Sequence, residues 1–223
     1  MRTSRHLPVL GLLVLSALTV PSTAVGGPLS GLVRTDTRPG VVPAAAIVYA
    51  EPLDTSPPRR PAAAALRQRH KAFQPQVLAV SVGSTVAFPN DDTIFHNVFS
   101  LSGPEPFDLG LYRAGSSRSR TFSRAGTYQV FCNIHPQMTA AIVVVNTPWV
   151  TTAGADGRFV LDVPAGRYRL TAVSERAEPV SVEVTATAGA VVAPELRLDE
   201  TRWVDVQHKN KHGQDYPRSA YDR

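Results

Sequence analysis

The stretch FCNIHPQM, Phe131 to Met138, puts a thiol, an imidazole and a thioether within one short loop. Cys132 is the only cysteine in the 223-residue chain, and His135 and Met138 follow it at three-residue intervals. A thiolate and an imidazole this close can hold one transition metal. Structural zinc draws paired Cys-x-x-Cys and His-x-x-x-His ligands, which the chain lacks, and iron–sulfur clusters need more cysteines. One thiolate, two imidazoles and a weak thioether make the donor set of a blue-copper site. His96, in TIFHNVFS, is the candidate second imidazole. The plainer alternatives are a buried inert thiol at Cys132 or a bridge to another molecule, a core filler at Met138 and a surface position at His96.

Strands must hold such a loop in place. Cys132 closes the apolar run TYQVF, and TAAIVVVN begins the next strand directly after Met138. One tight loop can therefore present three donors to a single point, with His96 entering from another strand. Pro136 stiffens the loop against rearrangement as a bound metal changes charge. Sulfur donors favour copper(I), while imidazole suits both oxidation states. On this reading His135 lies on an exposed loop and is the electron port, flanked by Pro136 and Met138. Upstream, QVLAVSV and STVAFPN alternate as strands about the turn residue Gly83, and TIFHNVFSL adds another. SRTFSRAGTYQVFC reads as a hairpin around Ala125 and Gly126. Roughly seven short strands over residues 66–147 fit a β-sandwich or barrel.

The flanks are organised differently. Arg2 and Arg5, an apolar run from Leu7 to Val20 and small residues near Ala24 to Gly26 predict a cleaved secretory signal over residues 1–26. No later stretch is apolar enough to span a bilayer as a helix, so no transmembrane anchor is expected after cleavage. LSGLVRT and AAAIVYAEPL are β-segments within 27–65 that could join either neighbour. Pro57, Pro58 and Pro61 make Asp54–Leu66 a linker, with a helical turn possible from Ala62 to His70. A second alternating pattern covers 148–200, with a turn at Asp156–Gly157. The polar tail 201–223 carries His208 and His212 and is expected to be loose or to fold only on contact. Hydrophobic residues at 43% and charged residues at 18% support packed cores. The formal charge of +5 falls by two when Arg2 and Arg5 are removed, too mild for a nucleic-acid partner.

Together, FQPQVLAVSVGSTVAFPNDDTIFHNVFS and GTYQVFCNIHPQM resemble a cupredoxin of the plastocyanin and amicyanin kind, with the short Cys-x-x-His-x-x-Met loop most similar to amicyanin and pseudoazurin. The resemblance implies an all-β fold with a cupredoxin Greek-key β-sandwich and one type 1 copper per chain. It implies His96 as the first ligand, Cys132 as the thiolate, His135 as the second imidazole and Met138 as the axial ligand. Asn97 matches a position that ties the two ligand segments together near the sulfur. Separately, DGRFVLDVPAGRYRLTAV resembles a carboxypeptidase-regulatory or transthyretin-like module, which implies a second small β-sandwich without catalytic residues.

No Gly-x-Ser-x-Gly, phosphate loop or His-Glu-x-x-His occurs. A copper reductase needs a second metal site, and only His70, His208 and His212 are spare, so the chain is not expected to be an enzyme. The expected function is electron transfer with a redox partner protein, in the periplasm or secreted. The alternative is non-enzymatic copper storage, delivery or structural copper binding.

Overall fold

The computed structural model describes residues 26–204 and 208–216. Apart from Gly26, the predicted export segment lies outside them, as do Asp205–Gln207 and Pro217–Arg223 of the tail. Among the described residues the regular elements are all strands, with no helix.

The first module is a sandwich. One sheet runs in the order Val77–Ser81, Thr139–Val145, Gly126–Phe131, His96–Ser100, Phe107–Tyr112. The other runs Ser117–Thr121, Thr85–Pro89, Ala63–Ala65, with the small hairpin Arg67–Arg69 and Ala72–Gln74 beside it. Alternation builds the space between them. Val86 and Phe88 point inward from the smaller sheet to meet Val98, Tyr128, Val130 and Ile142 from the larger one. Strand Thr139–Val145 is buried on both faces, as a continuous AAIVVV run demands. Ala140, Ile142 and Val144 enter this core. Ala141, Val143 and Val145 pack outward with Ile47, Val77 and Val173 and so join the module to its neighbour.

Two local expectations are corrected. The strands around Ala125–Gly126 do not pair as a hairpin. Ser117–Thr121 bonds to Thr85–Pro89, whereas Gly126–Phe131 bonds to Thr139–Val145 and His96–Ser100. Phe122 is fully buried at the crossing, and its burial drives the chain from one sheet into the other. The Tyr128 hydroxyl donates to the Arg124 carbonyl (3.0 Å) and fixes the corner. Likewise, the predicted linker stops short of Leu66. Ala63–Ala65 pairs in parallel with Thr85–Ala87, Arg67–Arg69 forms a hairpin arm instead of a helical turn, and Leu66 is fully buried.

The second module gathers both flanks. Pro28–Asp36 pairs antiparallel with Arg158–Asp162 on one side, and parallel with Val191–Val192 and Leu196–Asp199 on the other. Ile47–Pro52 lies between Val150–Thr152 and Gly166–Ser174, and the latter also pairs with Ala177–Ala186. Leu29, Val48, Ala50, Phe159, Leu161, Leu170 and Leu196 fill the core between these two sheets. The first module is thus an insertion between the second and third strands of the second. The predicted Asp156–Gly157 turn is present. Gly157 has φ of +78°, and a Cβ there would come within 2.1 Å of the Val33 carbonyl oxygen, so only glycine fits.

Candidate metal centre

Cys132 follows the last residue of strand Gly126–Phe131. Its N–H bonds to the Met138 carbonyl (3.2 Å), and the Met138 N–H bonds to the His135 carbonyl (3.0 Å). These bonds fold residues 132–138 into a closed loop that turns Cys132 and His135 inward. His96 opens strand His96–Ser100, every residue of which is buried. The strand sits beside Gly126–Phe131 through the Phe131–Phe99 register, and that pairing carries His96 to the loop.

Three donor atoms meet there. His96 Nδ1 and His135 Nδ1 are 3.1 Å apart, and Cys132 Sγ is 3.9 Å from the first and 3.7 Å from the second. Neither Cys132 nor His96 has measurable exposure, and His135 is 2% exposed. One ion about 2 Å from each atom, an ordinary metal–imidazole bond length, can sit within such a triangle. Two imidazoles and one thiolate in a trigonal set suit copper. Met138 is fully buried in the same cluster as Cys132. The sequence expectation of an exposed His135 is corrected: both His135 and Met138 are covered, while Pro136 remains exposed.

The electrostatics suit a site that wants a cation. Burial pushes the Cys132 thiol up, against the pull of the backbone N–H groups of Asn97, Ile134 and His135 that point at the sulfur. Burial, helped by neighbouring His96 and Lys71, brings His135 down to about 4, so its nitrogen lone pair is available at neutral pH.

Asp92, which no motif in the sequence singled out, orients the first imidazole. Its Oδ2 lies 2.7 Å from His96 Nε2 and accepts that N–H, which leaves Nδ1 bare and aimed at Cys132 and His135. The same carboxyl accepts the N–H groups of His70 (2.6 Å) and Lys71 (2.9 Å), both in left-handed conformation at φ of 57° and 53°. Burial alone would raise Asp92, but the bonds from Lys71, His96 and His70 outweigh it and hold the carboxyl below the usual range. Asn90 positions the turn, taking the Asp92 N–H on its Oδ1 (3.1 Å) and donating to the Ile94 carbonyl (2.8 Å). Only the four-residue step from Asp92 to His96 hinted at this pairing, and outside a helix that spacing carries no directional meaning.

Asn97 meets the expectation through its backbone. Its backbone N–H reaches the Cys132 sulfur, but its side chain donates to Asp108 Oδ1 (2.8 Å) on the neighbouring strand, and not to the ligand loop. Its buried Oδ1 has no hydrogen-bond partner.

Residues 63–146 match a copper-protein family. The model is that of copper binding proteins of the plastocyanin/azurin family, and the match covers the whole of the first module's sandwich. Among known proteins the chain is similar to amicyanin-alpha of Methylorubrum extorquens, 32% identical over 75 residues, which are 32% of this chain and 63% of that protein. Among solved structures it is similar to a methionine-to-alanine mutant of amicyanin with Cu(I), at 28% identity, 37% of this chain, 81% of that one and TM-score 0.35. It is also similar to a copper-containing nitrite reductase from Thermus scotoductus, at 29% identity, 42% of this chain, 25% of that one and TM-score 0.35. The chain therefore spans less than two thirds of the amicyanin-alpha it matches and a quarter of the reductase. The family match and the amicyanin relative support a cupredoxin copper-binding domain and copper as its cofactor.

Proposed function

We propose that residues 63–146 hold one type 1 copper and that the protein exchanges electrons with a redox partner protein in the cell envelope. The observation that carries this reading is the closed triangle of His96 Nδ1, His135 Nδ1 and Cys132 Sγ. On this reading His96, Cys132, His135 and Met138 would hold the copper. Bound copper would supply a one-electron couple. The chain holds the donors rigid: Asp92 orients the His96 ring, the Met138–Cys132 and His135–Met138 backbone bonds close the loop, and burial excludes water. A fixed donor set suits electron exchange because little has to move when charge changes. Pairing of Pro28–Asp36 and Ile47–Pro52 with the strands of 148–200 supports one second β-sandwich that carries the first module. We read the protein as a carrier and not an enzyme, because a single buried His2Cys set suits passing electrons. Copper(II) added to the purified protein should give an intense visible thiolate band and a copper paramagnetic resonance signal. A colourless product would sink the proposal.

The cover over His135 favours a second reading, non-enzymatic copper storage or delivery. Rapid self-exchange between oxidised and reduced protein would separate the two, since storage does not require it.

A further inference from the structure

Beyond the match at 63–146, the chain's own tail lies on the ligand loop. The His208 ring stacks on Phe131, with centroids 4.0 Å apart and planes at 24°, and its Nε2–H donates to the Pro136 carbonyl at 2.7 Å. The Lys211 N–H donates to Asn133 Oδ1 (2.9 Å). The Lys211 ammonium pairs with Asp108 Oδ2 (2.7 Å), the same carboxyl whose other oxygen takes the Asn97 side chain. The Tyr216 hydroxyl donates to the carbonyl of Cys132 itself (2.8 Å) and lies 3.3 Å from His208 Nδ1. Tail residues therefore contact positions 131, 132, 133 and 136, on either side of His135. Residues 208–216 of the polar 201–223 segment, which was expected to be loose or to fold only on contact, are held by these contacts.

The second module anchors the other end of the tail. Glu200 is buried there, accepting from Ser174 Oγ (2.7 Å) and from the Ala44 N–H (3.1 Å). Trp203 follows, with its carbonyl bonded to the Arg38 guanidinium (2.9 Å) and the Arg176 guanidinium 4.2 Å over its ring. One end is thus fixed by a buried residue, while the end on the ligand loop is held by partly exposed hydrogen bonds, a ring stack and an ion pair. Such contacts open far more readily than a core.

We propose that His208, Lys211 and Tyr216 form a latch over the Cys132–Met138 loop and decide what reaches the site from solvent. A bulky reagent, chelator or partner meets the tail before it meets His135, and passes only in the fraction of molecules whose latch is lifted. The second module then serves to bring the tail to the loop. The latch itself rests on these contacts; only its consequence for copper rests on the function proposed above.

Cys132 is the only thiol, so alkylation of the metal-free full chain by iodoacetamide reads this one site. The triple variant His208→Ala, Lys211→Ala, Tyr216→Phe should be alkylated about tenfold faster than wild type, the order expected when a few modest hydrogen bonds are lost. Lys209→Ala removes only an ion pair within the tail, to Asp215, and should leave the rate unchanged. Added salt should speed wild type through the Lys211–Asp108 pair and leave the triple variant unmoved. A triple variant that melts like wild type and is alkylated at the wild-type rate would overturn the latch, as would equal acceleration by Lys209→Ala. In the copper-loaded protein, removal by an external chelator should rank the variants in the same order. A chain that takes up no copper would defeat the proposed function, while the alkylation rates would still decide the latch.

Discussion

The two modules turn the same corner with the same four-residue pattern. Ala125-Gly126-Thr127-Tyr128 opens a strand of the first, and Ala165-Gly166-Arg167-Tyr168 opens one of the second. In each, the tyrosine hydroxyl donates to a carbonyl four residues upstream, Arg124 in one and Pro164 in the other. Both strands alternate, and both modules bury polar side chains. What separates them is where those polar atoms point. In the second module Glu200, Thr171 and Ser174 are buried, and Glu200 and Ser174 satisfy one another. In the first, His96, His135 and Cys132 are buried with their donor atoms converging on one point. A buried polar group that closes its bonds on a neighbour builds architecture, whereas buried donors facing a common point make a site.

The largest effect that tests this contrast comes from Cys132→Ser. The visible band on addition of copper(II) should vanish, with both modules still folded, and optical absorption with circular dichroism would check it. Retained colour would break the contrast. Next is Glu200→Ala in the second module, which strands the Ser174 hydroxyl and the Ala44 N–H. It should cost about 2 kcal/mol in denaturant unfolding and leave the copper spectrum untouched.

Asp92→Asn should weaken copper binding by about tenfold, the low end for a group that orients a metal-bound histidine. Competition with a chelator of known affinity would measure it. Orientation of His96 also predicts a shifted spectrum, which a purely structural turn residue would leave alone.

A further effect is in pH. His135 is held at about 4 in the folded protein, against roughly 6.5 in the unfolded chain. Between those values the unfolded state binds the extra proton, so metal-free stability is greatest above about pH 6.5 and declines as pH falls toward 4. Denaturant melts of the metal-free protein across that range would follow it. The second module, with no histidine in 27–53 or 148–200, should not share the decline.

Much of the site was legible because it is local. Cys132, His135 and Met138 lie on one loop, so their types and spacing already pointed to metal chemistry. The alternation of Thr85–Pro89 and the double-faced apolar run of Thr139–Val145 were readable for the same reason. Asp92 was not legible, because its meaning depends on the His70–Lys71 turn and on His96. The hairpin misreading at Ala125–Gly126 has a related cause. A turn signal marks where the chain bends, and says nothing about which sheet each arm joins.

By itself, then, the sequence determined the all-β character and the tight loop that carries Cys132, His135 and Met138, since periodicity and spacing are properties of neighbouring residues. The tertiary structure alone decided that His96 arrives within 3.1 Å of His135, that Pro28–Asp36 and Ile47–Pro52 complete a module whose other strands begin at Val150, and that Tyr216 reaches back 84 residues to Cys132. Those contacts depend on which strands pair and which apolar faces meet across long stretches of chain. That choice is made by burial of the whole core, and no local pattern encodes it.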